Sequence, residues 1–349
     1  MNPRGKPWLK RLLLGALTLA IVVATFVFFL PNIADYGKVW DVVQDVSLTW
    51  IAALLGATVL NVVTFAPPWQ VALPGLSFMQ ALTVTQASTA LSIVVPGGLA
   101  AGVAGSFGVL RAWGFAFTEI TRAVTLTGLW NQFLNLAYPI VAVFALTVSG
   151  EHNAALATAA FIGVAVLGIV IAAFVVVLVS DSLARDIGDV AASCANWGLG
   201  KIHRGPVSWS GASFERFRAS TGDFVGRRWH VLTLASMVGS LSVFAVLVVS
   251  LRAVGVTASE VTVVEAFAAW SFVRLVNTIP ITPGGIGVVE LALTGALVGF
   301  GGNNAEVVAG VLVYRFLTMV PTLLLGLAAA FTWRRQRRRA PTLAPTEEA

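Results

Sequence analysis

Two arginines, a glutamate and a group of carboxamides stand inside otherwise apolar segments, and they are the side chains with chemistry to offer. Glu290 ends the stretch ITPGGIGVVE (281–290), and Arg315 follows Tyr314 in the middle of a later apolar run. Arg274 and Asn277 are three apart, which puts them on one face of a helix. Asn131 and Asn135 share another face, with Gln132 beside them. Gln80, Thr83, Gln86 and Ser92 make one further apolar segment unusually polar. A guanidinium is a planar fork of donors that suits a phosphate or carboxylate. Arg315 and Arg274 are therefore candidate anion receivers, with Glu290 balancing or gating them. The competing reading is a structural Glu–Arg pair that locks neighbouring helices. The asparagines serve equally well as cavity lining or as hydrogen-bonding groups between helices.

The elements that carry these residues are membrane-spanning helices. Of the 349 residues, 57% are apolar and 11% charged, against about 25% charged in a soluble domain. Mean hydropathy is +0.87. Full spans are expected at 11–30, 48–66, 118–148, 154–179, 229–252 and 305–332, each near the ~20 apolar residues a bilayer requires. The first run lacks a clear small-residue cleavage site and reads as a retained span. Two more apolar regions, 78–115 and 262–300, are interrupted by Pro96-Gly97-Gly98 and Pro283-Gly284-Gly285. Each reads as a hairpin that enters and leaves on one side, whether its arms cross fully or turn within the bilayer. The fold class expected is an all-α polytopic membrane protein of six full spans and two broken hairpins, forming one domain over 1–349.

The inventory excludes several functions. One cysteine, Cys194, leaves no internal disulfide and no cysteine metal cluster. His152, His203 and His230 are scattered, and neither HExxH nor GxxxxGK[ST] is present. No metal or cofactor is expected. The net charge of +6 lies beside the spans, where it meets lipid headgroups rather than nucleic acid. With the N-terminus inside, 16 of the 22 Lys and Arg fall on the cytoplasmic side: in the head, in a basic loop at 180–228, and in the RRQRRR tail. Both termini are then cytoplasmic, and 334–349 reads as a disordered tail. Arg111 and Arg122 read as interfacial side chains that snorkel, and YGKVWDVV (36–43) reads as an interfacial amphipathic helix.

The two broken hairpins belong to a repeat. The Pro-Gly-Gly triplets match at an offset of 187, Gly114-Phe115 matches Gly299-Phe300 at 185, and Gln132-Phe133-Leu134 matches Arg315-Phe316-Leu317 at 183. The units run about 48–148 and 229–332, and the orientation from charge makes them opposite in topology. Inverted repeats with broken helices place a binding site near the midplane in many transporters. Proline removes a donor and glycine permits non-helical backbone, a break that is costly unless protein or a watery cavity covers it. A helix restarting after Gly285 would offer free N–H groups and a positive dipole end to an anion. A plain tight loop at the membrane surface is the alternative. Gly98–Gly102 and Gly295–Gly299 have GxxxG spacing, which close packing inside each hairpin explains better than dimerisation.

VPGGLAAG, LRAWGF and LTGLWNQF, followed by NTIPITPGGIGVVELALTGAL and GVLVYRF, resemble the lysylphosphatidylglycerol synthase transmembrane (flippase-like) family over about 10–335. The resemblance implies a protein of the plasma (inner) membrane that moves or handles lipids: aminoacylated phosphatidylglycerol, polyprenyl-phosphate lipids or hopanoids. The matching motif positions are Pro283, Gly284, Gly285, Gly287, Glu290 and Arg315. Full-length synthases add a soluble aminoacyl-transfer domain, and this chain ends soon after its last span, so synthase activity is not expected. Many relatives carry a Gly-Glu and an arginine after the first hairpin's proline, where this chain has PGGLAAGVAGS. The leading expectation is a lipid translocase for an anionic or aminoacylated phospholipid or a polyprenyl-phosphate lipid. The alternatives are a membrane glycosyltransferase-like enzyme using Asp35, Asp41 or Asp45, and a noncatalytic partner of an envelope enzyme.

Overall fold

Proline and glycine set most of the boundaries between helices. The computed structural model describes residues 36–95, 98–149, 154–180, 211–276 and 282–336, with four isolated positions between 181 and 210. The expected first span at 11–30, Asp35, Pro96, Gly97, Cys194, Asn277 and the tail beyond 336 lie outside the described residues. Every element among the described residues is helical. They are α1 (Tyr36–Gln44), α2 (Leu48–Thr64), α3 (Ala66–Ala72), α4 (Phe78–Val94), α5 (Gly98–Ala112), α6 (Phe117–Val148), α7 (Ala154–Val179), α8 (Gly211–Ala253), α9 (Val263–Val276), α10 (Val288–Gly299) and α11 (Asn304–Gln336). Four stretches are long and apolar enough to cross a membrane: Leu48–Ala72, Phe117–Val148, Phe224–Ala253 and Asn304–Ala329. The chain is an all-α polytopic membrane protein.

Three boundaries differ from expectation. The span expected at 48–66 continues through α3 to Ala72, because Pro67 and Pro68 fall in the first turn of α3, where a missing N–H is harmless. Residues 211–228, expected within the basic loop, are helical and continuous with the span of α8. Their mixed charge hid the helix, although no proline interrupts it. α11 runs to Gln336 and takes in the first three residues of the expected tail.

Both hairpins form where the glycine-rich breaks fall. α4 and α5 have 17 and 15 residues, and α9 and α10 have 14 and 12. At 1.5 Å per residue these arms are about 18–25 Å long, shorter than a ~30 Å hydrocarbon core. In the first hairpin, a Cβ on Gly98 or Gly102 would collide with Ser92, and one on Gly105 with Leu91. Close packing inside this hairpin is thus what those glycines permit. Gly295 and Gly299 differ: a Cβ on either meets nothing within 4 Å, so that spacing has no packing role inside the second hairpin.

The hairpins are held by each other's long helices. α4 lies along α11, and α9 lies along α6, while α2 and α8 pack together. Gly326 of α11 lets α4 approach so closely that a Cβ there would strike Ala90. Thr64 donates to Ser242 at 2.9 Å across the α2–α8 contact. One buried core joins α3, α4, α5 and the start of α6 around Leu73, Leu110 and Ile120. A larger one joins α6, α8, α9, α10 and α11 around Leu247, Trp270 and Leu297. Val42, Val43 and Val46, on and just after α1, pack on this second core while Trp40 stays exposed, so α1 is amphipathic.

Candidate functional site

The second hairpin's break is a run of left-handed glycines pinned by one ion pair. Gly284, Gly285 and Gly287 have φ of 64°, 67° and 86°, a region that side chains with a Cβ avoid. Pro283–Gly285 forms a short 3₁₀ turn, closed by the Gly285 N–H donating to Thr282 O at 3.1 Å. Gly287 is the N-cap of α10, and Glu290 occupies the third helical position. Glu290 Oε2 accepts from the Gly287 N–H at 2.7 Å, and Oε1 accepts from Arg315 Nε at 2.8 Å. Arg315 Nη2 then donates to Gly284 O at 2.7 Å. The pair is nearly buried. It ties α11 to the break itself and to the helix that follows it.

This arrangement redistributes the expected roles. The N-terminus of α10 does receive an anion, but that anion is the chain's own Glu290 carboxylate. Arg315 lines the cavity described below, but Glu290 and Gly284 O already take two of its donors. Arg315 is thus pinned to the break, while Arg274 is held elsewhere on the same cavity.

Arg274 is held by neutral groups. Its Nε donates to Asn135 Oδ1, and its Nη2 donates to Asn131 Oδ1 at 2.8 Å and to Ser240 Oγ at 3.3 Å. Gln132 accepts from Asn135 Nδ2 at 2.8 Å, which fixes the orientation of that amide. The guanidinium carbon lies 5.2 Å from the centre of the Trp270 ring. Among the described residues no carboxylate pairs with Arg274. Sequence reasoning grouped Asn131, Gln132 and Asn135 on one helix and placed Arg274 on another with Asn277, and the fold brings Arg274 onto that carboxamide group. It missed Ser240 and Trp270. Trp270 precedes Arg274 by four residues, a spacing that puts both on one helix face. Ser240 carried no such signal.

A cavity of about 190 Å³ lies where the break of the second hairpin meets the first. Arg274, Arg315, Tyr314, Trp270 and Gly284 line it, with Ile93 from the first hairpin. Arg315 lies eleven residues into α11 and Arg274 eleven into α9, each about 16 Å from the start of its helix. A helix that starts at the edge of a ~30 Å core would carry either residue to about half its depth. Polar groups at this depth are costly unless buried or hydrated.

Other polar residues of the sequence have local work. Gln80 forms a capping box with Ser77, and Glu265 one with Thr262. Thr83 and Ser92 bond back to carbonyls one turn earlier. Arg111 Nη1 donates to Phe115 O at 3.2 Å, and Arg252 Nη1 to Val256 O at 2.7 Å. Both arginines belong to Leu-Arg-Ala-x-Gly corners that end a helix with a positive-φ glycine, Gly114 or Gly255. Arg122 lies 5.0 Å from the Phe224 ring centre.

Short broken hairpins, helices long and apolar enough to cross a membrane, and charged side chains enclosed among them define a polytopic membrane protein with an internal polar site. The family model for the lysylphosphatidylglycerol synthase TM region matches residues 14–326, and the chain belongs to that family. No curated protein matches it.

Proposed function

We propose that the chain is a lipid translocase of the plasma membrane, moving an anionic or aminoacylated phospholipid or a polyprenyl-phosphate lipid. The headgroup passes through the cavity at Arg274 while the tails stay in lipid. The observation that carries this reading is the cavity: two guanidiniums face space among apolar helices, where a broken hairpin meets its counterpart. A protein that only anchored a partner would have no use for charge there, given its cost. Membership of a membrane-domain family linked to lipid handling agrees with it.

The translocase works as an inverted repeat of about 48–148 and 229–332. The exchange of partners, α4 with α11 and α9 with α6, supports two units related by a pseudo-two-fold axis. Both termini are cytoplasmic.

The test is translocation in proteoliposomes with headgroup-labelled lipids, comparing wild type with folded Arg274→Gln and Asp41→Asn variants. Wild-type transport that Arg274→Gln loses and Asp41→Asn keeps is expected. Transport that survives Arg274→Gln would remove the cavity from the mechanism. Loss of function on Asp41→Asn alone would favour the glycosyltransferase-like alternative.

A further inference from the structure

We infer that a second lipid site, apart from the cavity, lies at the membrane surface where α6 and α8 begin their spans. Arg122 and Arg228 grip the phosphate of an anionic phospholipid there, and the outer face of α8 seats its tails. The site does not depend on the translocase reading.

The register of the two helices brings the arginines together. The guanidinium carbon of Arg122, on α6, lies 5.0 Å from the centre of the Phe224 ring, and that of Arg228, on α8, lies 5.7 Å from the same centre. Eight residues after Arg122, Trp130 donates from Nε1 to Thr233 Oγ1 at 2.8 Å, nine residues after Phe224. The two contacts advance together, so α6 and α8 run side by side in one direction. Their apolar spans start at Phe117 and Phe224. Arg122 is five residues and Arg228 four residues past these starts, about 6–8 Å along the helix. Arginines so placed reach headgroups with their long stems. Trp229 is exposed beside Arg228, in keeping with the aromatic belt at a membrane–water interface.

Neither guanidinium has an anion. Among the described residues no carboxylate pairs with Arg122 or Arg228, and Arg122 Nε is enclosed without an acceptor. Glu119, three residues before Arg122, caps α6 instead, accepting from the Ala116 N–H at 3.0 Å. Asp223 stands four positions before Arg227 and five before Arg228, so its position shares a helix face with Arg227. An enclosed donor with no acceptor is costly, and two cations over one ring repel each other. A phosphate relieves both, because its oxygens match the guanidinium fork. Basic pockets between spanning helices at headgroup level hold anionic lipids in this way.

The tails identify the ligand as a lipid rather than free phosphate. Val231, Leu234, Val238 and Leu241 are exposed and recur at helical spacing, starting three residues after Arg228. This apolar stripe rises about 15 Å along α8, the depth of one leaflet of a ~30 Å core.

The test reads the site locally. In a Cys194→Ser background, a bimane fluorophore is attached at Leu234→Cys, and the full chain is placed in phosphatidylcholine nanodiscs. Phosphatidylglycerol or phosphatidylcholine with a nitroxide on the tail is then added as quencher. Phosphatidylglycerol should quench saturably and at a lower fraction than phosphatidylcholine. Bimane at Val59→Cys, exposed on α2, should show no such preference. Arg122→Gln and Arg228→Gln should each weaken phosphatidylglycerol about tenfold or more, the loss of a charge-assisted contact. Arg227→Gln removes the same charge one position away and should lose no more than the roughly fivefold due to a surface charge. Arg228 is exposed, so its variant keeps the test available if Arg122→Gln fails to fold. Arg274→Gln should leave the quenching as it is, which separates this site from the cavity. Equal losses at Arg227 and Arg228 would mean a diffuse ionic layer and overturn the inference, as would the absence of a preference at Leu234→Cys. Displacement by millimolar tail-free glycerophosphoglycerol would overturn the assignment to a lipid.

Discussion

Glu290 and Arg274 are both charged, both set among apolar helices, and opposite in their need for a partner. Glu290 is satisfied by Gly287 and Arg315, so removing either member of the pair strands the other. Glu290→Ala and Arg315→Ala should each destabilise by about 3–5 kcal/mol, and the double variant by less than their sum. Thermal or denaturant unfolding in detergent, arranged as a double-mutant cycle, measures this. Additive losses would mean that the pair does not hold the break. Arg274→Gln removes a charge with no countercharge among the described residues, so its unfolding temperature should stay level or rise. The residue types were legible in the sequence, and so was a helix that restarts after Gly285. The division of labour was not. Asn131 and Arg274 are 143 positions apart, and no local pattern announces their hydrogen bond.

Among the elements, glycine acts in two ways that a motif search merges. Gly326 lies against α4, where a Cβ would meet Gln86 O at 2.9 Å and strike Ala90. Gly295 faces open space within its helix. Gly326→Val should therefore cost about 1–3 kcal/mol through overpacking. Gly295→Ala should be neutral or gain up to about 1 kcal/mol in helix propensity. Unfolding midpoints of the two variants test whether α4 and α11 meet as described. Equal effects would contradict it. The Pro-Gly-Gly breaks and most spans could be read directly, since those residues act through their own backbone. The helical start of α8 could not, because 211–228 is neither apolar nor clearly periodic. GxxxG spacing foretold contact at Gly98–Gly102 and failed at Gly295–Gly299, because spacing alone does not say what faces the glycine.

For the whole molecule, the packing of the two hairpins is reciprocal. Each hairpin's first arm lies against the last helix of the other unit. If the units are inverted, the corner between α5 and α6 and the corner between α8 and α9 open on opposite sides. In a Cys194→Ser background, Ala116→Cys and Ser259→Cys place thiols at exposed positions in these corners. A membrane-impermeant maleimide applied to intact cells should label Ser259→Cys and spare Ala116→Cys until the membrane is opened. Labelling of both from outside would remove the inverted repeat. The expected topology rests on charge distribution alone, and the cross-packing of hairpins was beyond the sequence because it depends on non-local shape.

The most direct test of the central claim is the initial rate of phosphatidylglycerol translocation by wild type and by Arg274→Gln in matched proteoliposomes. Unfolding temperatures are measured on the same preparations. The expected result is transport by wild type and a loss of at least about tenfold in a variant that is no less stable. Equal rates would show that the uncompensated arginine does not receive the headgroup, and would contradict the account.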